Sequence, residues 1–473
     1  MNFNSLWTFS ATLIGSFVAL GILILPFTLL IAIGLIRQKR TSASSVTWLL
    51  AILLVPFIGI PAYWLFGSRK IRHIARRKLP VVLSAVDAQA ATTAPQREVR
   101  DAVAHLGYEG LTRGNAMKIH ANGEEAFADL IELIDKAETS IDIETFVLTA
   151  DATGKAILDR LTKRAGEGVR VRLLVDGLGS YPLSWWSLRK LRKAGGTVKF
   201  FLPIWRFTLL NRSNLRDHRK IAIFDGKQVF AGGRNIADEY LGPTASKQRW
   251  ADFSFVLSGP AAMHYAEIFG FDWGFATGEK FTPVDGPGSV PAPQDGAIVQ
   301  VVPSGPDVTD DQLFEGILSF IFAAKKRLWI VTPYFIPTEM LGQALQIAAQ
   351  RGIDLRIIVP AKGDQILPDL ARSQFLRDLA AQGAKPLLYM PGMMHAKALL
   401  IDDAVAAVGS ANFDSRSMFL NFEVTSVIHS APEIRAVEAW IEKLITDSKP
   451  FDVKTSKRRD FLEGFARLVA PLL

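Results

Sequence analysis

The stretch HRKIAIFDGKQVFAGGRN at residues 218–235 returns in outline as HAKALLIDDAVAAVGSAN at 395–412. Each copy reads His-x-Lys, four residues, Asp, six residues, Gly, a small residue, one residue, Asn. The likeness extends beyond the motif. AETSIDIETFVLTAD (137–151) resembles AKKRLWIVTPYFIPTE (324–339), and GVRVRLLVDGLGS (168–180) resembles GIDLRIIVPAKGD (352–364). A chain made of two copies of one unit must fold that unit twice, which constrains it more than any feature of its composition.

Short apolar runs rich in Val, Ile and Leu alternate with helical segments in both copies, the pattern of an α/β fold. The expected architecture is two tandem α/β domains forming a pseudo-twofold pair, the first over 116–281 and the second over 297–450. The Pro/Gly-rich TPVDGPGSVPAPQDG, 282–296, marks the seam between them. Residues 79–115, which include LSAVDAQAATTAPQ, read as a linker, and 451–473 as a basic amphipathic segment.

Residues 1–78 differ from the rest. The first charged residue is Arg37, and the uncharged run at 9–36 exceeds the roughly 20 residues that span a bilayer. No cation precedes that run, so a cleaved signal peptide is not expected. A second uncharged run, 41–68, has Trp48 near one end and Tyr63 and Trp64 near the other, where interfacial aromatics lie, with Pro56 and Pro61 as kinks. Two transmembrane helices are therefore expected ahead of the repeat, and a mean hydropathy of +0.20 fits them.

Charge follows the same division. Residues 1–78 hold nine cations and no anion, which leaves 45 basic against 46 acidic residues beyond. The positive charge belongs to the membrane segment, so no nucleic-acid partner is expected for the balanced remainder, while an anionic lipid surface suits the N-terminus. Three cations between the two runs against six after the second favour a hairpin with the C-terminal bulk in the cytoplasm. The chain has no cysteine, hence neither disulfides nor thiolate metal ligands.

If the motifs are strands, residues i and i+2 share a face, so His218 projects with Lys220 and His395 with Lys397. A pocket with two imidazoles and two ammonium groups suits a phosphodiester: one imidazole attacks phosphorus, the other protonates the leaving alkoxide, and the lysines neutralise the oxygens. The expected site needs no metal and no other cofactor. Asp225 and Asp402 close the motif but fall on the opposite strand parity, which makes them supporting structure within the catalytic motif.

The duplicated His-x-Lys-x4-Asp resembles the phospholipase D superfamily, and GGRNIADEY, WADFSFVLSGPA, VTPYFIP and GSANFDSRSMFLNFE resemble its bacterial cardiolipin synthases. That resemblance implies paired α/β domains with the active site between them and a phosphatidyl-histidine intermediate. By resemblance His218 is the nucleophile and His395 the acid and base, although the internal symmetry leaves that order open. Asn235, Ser410 and Asn412 become phosphate contacts, with Gly233 standing where the second copy has Ser410. Asp252 and Glu423 match the carboxylates that hold each histidine from downstream of its own motif.

The implied reaction transfers a phosphatidyl group from one phosphatidylglycerol to another at the inner membrane of a bacterium. Hydrolysis differs from it only in the acceptor, and a tethered nuclease would require basic charge that the repeat lacks. The oligomeric state stays open, a homodimer included. The insertion IWRFTLLNRSNLRD (204–217), with Trp205 and Phe207, is expected to lie against the bilayer or to pack as an ordinary loop. The tail KRRDFLEGFARLVAPLL (457–473) is expected to lie in the interface or to dock on the second domain.

Overall fold

The structure, a computed structural model, describes residues 42–57, 59–60, 63, 78, 80–81, 83, 110–181, 183, 186–203, 215–281, 296–308 and 311–469. They fall into two compact units, one within residues 1–71 and the other within 72–206 and 215–473.

In the first unit the helix Ser42–Leu54 runs up to Pro56, whose missing N–H is bypassed by Val55 N–H to the Ala51 carbonyl at 3.1 Å and Gly59 N–H to the Val55 carbonyl at 2.7 Å. Beyond it the chain returns. Trp48 meets Tyr63 edge to face at 5.4 Å, and Ile52 is buried against Trp48, Leu49, Ile60 and Tyr63. A Cβ at residue 59 would overlap the Ala51 carbonyl, so glycine allows the close approach. This corrects the expectation of a kinked span with Trp48 and Tyr63 at opposite ends. No helix among the described residues is long and apolar enough to cross a membrane. The apolar run 9–36 and Trp64 lie outside the described residues.

The second unit is built on one 15-stranded sheet. Its first-copy strands are β1 (Leu111–His120), β2 (Ser140–Thr145), β3 (Arg170–Asp176), β4 (Thr197–Phe201), β5 (Ile221–Phe224), β6 (Gln228–Gly232) and β7 (Ser254–Ser258). The second copy contributes β8 (Ala297–Ser304), β9 (Arg327–Val331), β10 (Phe335–Ile336), β11 (Asp354–Pro360), β12 (Lys385–Tyr389), β13 (Ala398–Ile401), β14 (Val405–Gly409), β15 (Phe413–Asp414), β16 (Glu423–Ile428) and β17 (Ser448–Pro450). β10 and β15 pair separately.

The copies meet where β1 lies antiparallel to β8. Outward from that seam the order is β1-β7-β6-β5-β2-β3-β4 on one side and β8-β16-β14-β13-β9-β11-β12 on the other, then β17. Each step has its counterpart, including parallel β2-β3-β4 and β9-β11-β12. The sequence repeat is thus a repeat of topology. β1 begins at Leu111, inside the stretch read as linker, while residues 84–96 of that stretch and 282–295 of the seam lie outside the described residues.

Strands such as β5 (IAIF) and β13 (ALLI) are buried along their whole length between helices, which is why they read as apolar runs rather than alternations. Helix starts are capped locally: Asn122 accepts from Glu125 N–H at 2.8 Å and Asp151 from Gly154 N–H at 2.8 Å. The C-terminal helix Lys457–Val469 docks on the helix Ile366–Ala380. Ala466 is buried there, Glu463 pairs with Arg377, and Arg467 reaches Asp378 at 2.8 Å. Its outer face leaves Phe461 and Leu462 exposed.

Candidate functional site

Neither motif enters its strand where the alternation predicts. β5 and β13 begin at Ile221 and Ala398, three residues after their histidines. The lead-in segments bond across to the other copy instead: His218 N–H donates to the Phe422 carbonyl at 2.9 Å, and His395 N–H to the Ala251 carbonyl at 2.7 Å. This crossing joins the half-sites. His218, Lys220, His395, Lys397, Asn235, Asn412, Asp252 and Glu423 are all buried there.

The carboxylates are exchanged between copies. His218 Nδ1 lies 2.9 Å from Glu423 Oε2 and 3.1 Å from the Ser410 carbonyl, whereas His395 Nδ1 lies 2.8 Å from Asp252 Oδ2. The resemblance implied a carboxylate downstream of each histidine's own motif; the structure gives each histidine the carboxylate of the opposite copy. A carboxylate on Nδ1–H fixes the tautomer that leaves Nε2 with its lone pair. Phe146 packs edge-on to His218 at 4.9 Å, and Tyr240 and Trp250 pack on His395 at 5.1 and 5.6 Å.

Burial dominates the electrostatics. It pushes His218 down to about 4, Glu423 opposing and Lys220 assisting, and His395 down to about 3, with Lys397 assisting and Asp252 opposing. It also pushes Lys220 down to about 7 and Lys397 to about 8, against the pull of Glu423 and Asp252. Burial alone would raise Asp252, yet Lys397 and His395 hold it down at about 2; Glu423 is likewise held low by His218. The site therefore holds neutral imidazoles on ionised carboxylates beside two ammonium groups that a phosphate anion would keep charged.

Other predicted residues take different places. Asp225 and Asp402, both at positive φ, sit in turns at the far ends of β5 and β13. Asp225 accepts the N–H groups of Glu138, Thr139 and Ser140, and Asp402 those of Lys325, Lys326 and Arg327. They clamp the start of the adjacent strand and do not join the histidine cluster. Asn235 Oδ1 accepts from Val147 N–H at 3.2 Å, while Asn412 Oδ1 is buried without a hydrogen-bond partner among the described residues. The Ser410 hydroxyl accepts from Val424 N–H at 3.0 Å and donates to the Val424 carbonyl at 3.3 Å, so it faces the backbone rather than an incoming phosphate. Its twin Gly233 has a different reason: a Cβ there would overlap the Asp252 carboxylate.

Sequence reasoning passed over Phe146, Tyr240 and Trp250, although all three lie in stretches already singled out. It also missed Arg219, the middle residue of the first motif, and its partners Asp272, Asp307 and Lys78. Only the contrast of Arg219 with Ala396 signalled them.

A duplicated α/β sheet bringing two His-Lys pairs together, each histidine on a carboxylate from the opposite copy, defines the phospholipase D class. The sequence pattern described as "Cardiolipin synthase, PLD-like domain" matches residues 130–273 and 317–445, and "Phospholipase_D-nuclease N-terminal" matches 20–68. Cardiolipin synthase 1 of Bacillus anthracis is 34% identical over 92% of this chain and 90% of its own length. Cardiolipin synthase A of Pseudomonas putida is 31% identical over 92% of this chain and 93% of its own. The crystal structure of phosphatidylserine synthase from Haemophilus influenzae Rd KW20 covers 80% of this chain and 100% of its own, with a TM-score of 0.61 at 18% identity, a likeness of fold. The chain belongs to the cardiolipin synthase family.

Proposed function

We propose that this chain is a phosphatidyltransferase making cardiolipin and glycerol from two phosphatidylglycerol molecules. The observation that carries the mechanism is the crossed pair of His-carboxylate contacts, which holds both rings by Nδ1 and puts two Nε2 atoms in one buried site, that of His395 3.1 Å from the Lys397 ammonium. With the anionic donor bound, His395 takes up a solvent proton on Nε2; His218 Nε2 then attacks phosphorus of the donor, the P–O bond to glycerol breaks, and His395 delivers that proton to the departing alkoxide. His395 then removes the proton from a headgroup hydroxyl of the second phosphatidylglycerol, whose oxygen displaces His218.

Glu423 stabilises the charge that grows on His218 during attack, and Asp252 that on His395. Burial and Lys397 resist a proton on His395; Asp252 and the anionic phosphodiester favour it. Lys220, Lys397, Asn235 and Asn412 contact the phosphate, and Lys220 and Lys397 neutralise its oxygens. Asp225 and Asp402 hold the motif strands, and Ser410 supports His218 through its carbonyl. The two copies act as a pseudo-twofold pair of domains over 116–281 and 297–450.

The acceptor reaches the site from a bilayer, where the apolar N-terminal segment within residues 1–78 holds the chain at the bacterial inner membrane, with the repeat on the cytoplasmic side. Exposed Leu178, Tyr181 and Trp186 in the loop after β3, and Ile366 and Leu367 beyond β11, support access from lipid. Both stretches are tied to the site: Ser180 Oγ donates to the Phe146 carbonyl at 2.9 Å, and Asp364, just ahead of Ile366, acts electrostatically on Lys397. The test is product analysis of the purified chain on phosphatidylglycerol vesicles. Cardiolipin with equimolar glycerol supports the proposal, and phosphatidic acid alone would make the enzyme a hydrolase.

A further inference from the structure

The half-sites match in histidine, lysine and carboxylate and differ directly behind them. In the second copy Met394 precedes His395, Ala396 follows it, and Val331 lies opposite Ala398 on the neighbouring strand. In the first copy the same three places hold Asp217, Arg219 and Glu144, the last opposite Ile221, and all three are buried. Arg219 Nε donates to the Glu423 carbonyl at 3.0 Å, Nη1 pairs with Asp272 at 2.5 Å, and Nη2 with Asp307 at 3.1 Å.

One guanidinium cannot balance the two buried carboxylates of Asp272 and Asp307, and the neighbouring Glu144 and Asp217 add no cation; burial pushes the Glu144 carboxyl well above its ordinary range and that of Asp217 up to about 7. The second positive charge comes from Lys78, in the basic run after the apolar N-terminus. Its buried ammonium pairs with both Asp272 and Asp307 and lies 4.5 Å from the Phe422 ring centre. Val81 N–H, donating to the Asp307 carbonyl at 3.1 Å, fastens the same segment by its backbone. Phe422 in turn accepts the N–H of His218 and leads into Glu423. A continuous chain of contacts thus runs from Lys78 through the carboxylate pair and Arg219 to the main chain that aims Glu423 at His218.

We propose that Lys78 is a positioning residue for His218: it completes the charge balance that keeps Arg219 on the Glu423 carbonyl, and so couples the segment after the apolar N-terminus to one of the two histidines. The proposal rests on the phosphatidyl-transfer reading. His395 has no such lever, because Ala396 stands where Arg219 would. Without Lys78, the excess carboxylate charge draws Arg219 away from Glu423 and raises the proton affinity of His218, which otherwise faces Glu423, Lys220 and Lys397.

The test uses the full chain in phosphatidylglycerol vesicles and reads glycerol release, which transfer and hydrolysis both produce, so its outcome does not depend on the acceptor. Lys78→Met is expected to lower kcat about tenfold at nearly unchanged KM and to move the acid limb of the pH profile upward, while Lys78→Arg keeps wild-type behaviour. Lys78→Met/Asp307→Asn restores both kcat and the acid limb, because one cation again faces one carboxylate. If Lys78→Met does not fold, the double variant decides: wild-type turnover supports the proposal. A folded double variant still about tenfold impaired, or a Lys78→Met enzyme with an unshifted acid limb, overturns it.

Discussion

Glu423→Gln and Asp252→Asn remove the same charge from opposite half-sites, yet the structure predicts unequal losses. In Glu423→Gln the His218 Nδ1–H keeps a second acceptor, the Ser410 carbonyl at 3.1 Å, so the productive tautomer survives and only the charged partner is lost. A hydrogen bond to a charged group contributes about 1.5–3 kcal/mol, and about 1.4 kcal/mol is tenfold in rate, so turnover should fall roughly 10- to 150-fold. In Asp252→Asn the other neighbour of His395 Nδ1 among the described contacts is the Lys397 ammonium, a donor that lies nearer to Nδ1, at 2.7 Å, than to Nε2, at 3.1 Å. The ring then takes the tautomer with its proton on Nε2, and both the charge and the correct lone pair are lost. Asp252→Asn should therefore fall at least tenfold below Glu423→Gln. The assay is single-turnover glycerol release from phosphatidylglycerol vesicles, with thermal melts to confirm folding. Equal losses, or a loss under threefold in either folded variant, would refute the reasoning.

Acid should destabilise the protein through its buried histidines. With His218 depressed to about 4, the unfolded chain takes up a proton near pH 6.5 that the folded chain refuses until about 4. This stability is complete above pH 6.5 and lost as pH falls toward 4; it amounts to about 3 kcal/mol. Melts at pH 7.5 and 5 should differ by less in His218→Asn than in wild type, and an unchanged difference would contradict the assignment. Gly233→Ala should push the Asp252 carboxylate off His395 and cut kcat at least tenfold; wild-type turnover would show that the carboxylate has room to move. Trp186→Ser with Tyr181→Ser should slow turnover on bilayers but spare a short-chain soluble donor, and equal loss on both would count against lipid access through that loop.

The duplication was legible because it is written twice, and with it came the α/β class, the counterpart strands and the His-Lys pairs. What stayed hidden depends on contacts distant in sequence. Each copy carries a carboxylate after its histidine, and only folding reveals that His218 takes Glu423 and His395 takes Asp252. The motif reads as strand from its first residue, but His218 and His395 spend their N–H groups on the opposite copy, so β5 and β13 start late. Ser410 looks like a phosphate contact until its hydroxyl is found on Val424. Arg219 looks like a solvated residue between two functional ones until the carbonyls of Glu423 and Ser304 and the carboxylates of Asp272 and Asp307 enclose it. The run at 41–68 is long and apolar enough for a span, but periodicity cannot reveal that Gly59 lets it fold back on Ala51.

The central claim is that one histidine carries the phosphatidyl group while the other moves protons. Acid-quenching the enzyme after milliseconds with phosphatidylglycerol, then mapping the adduct by peptide mass spectrometry, tests it most directly. The account predicts a phosphatidyl group on His218, absent from His218→Ala, and none on His395. An adduct on His395, or turnover with no adduct on either histidine, would contradict it.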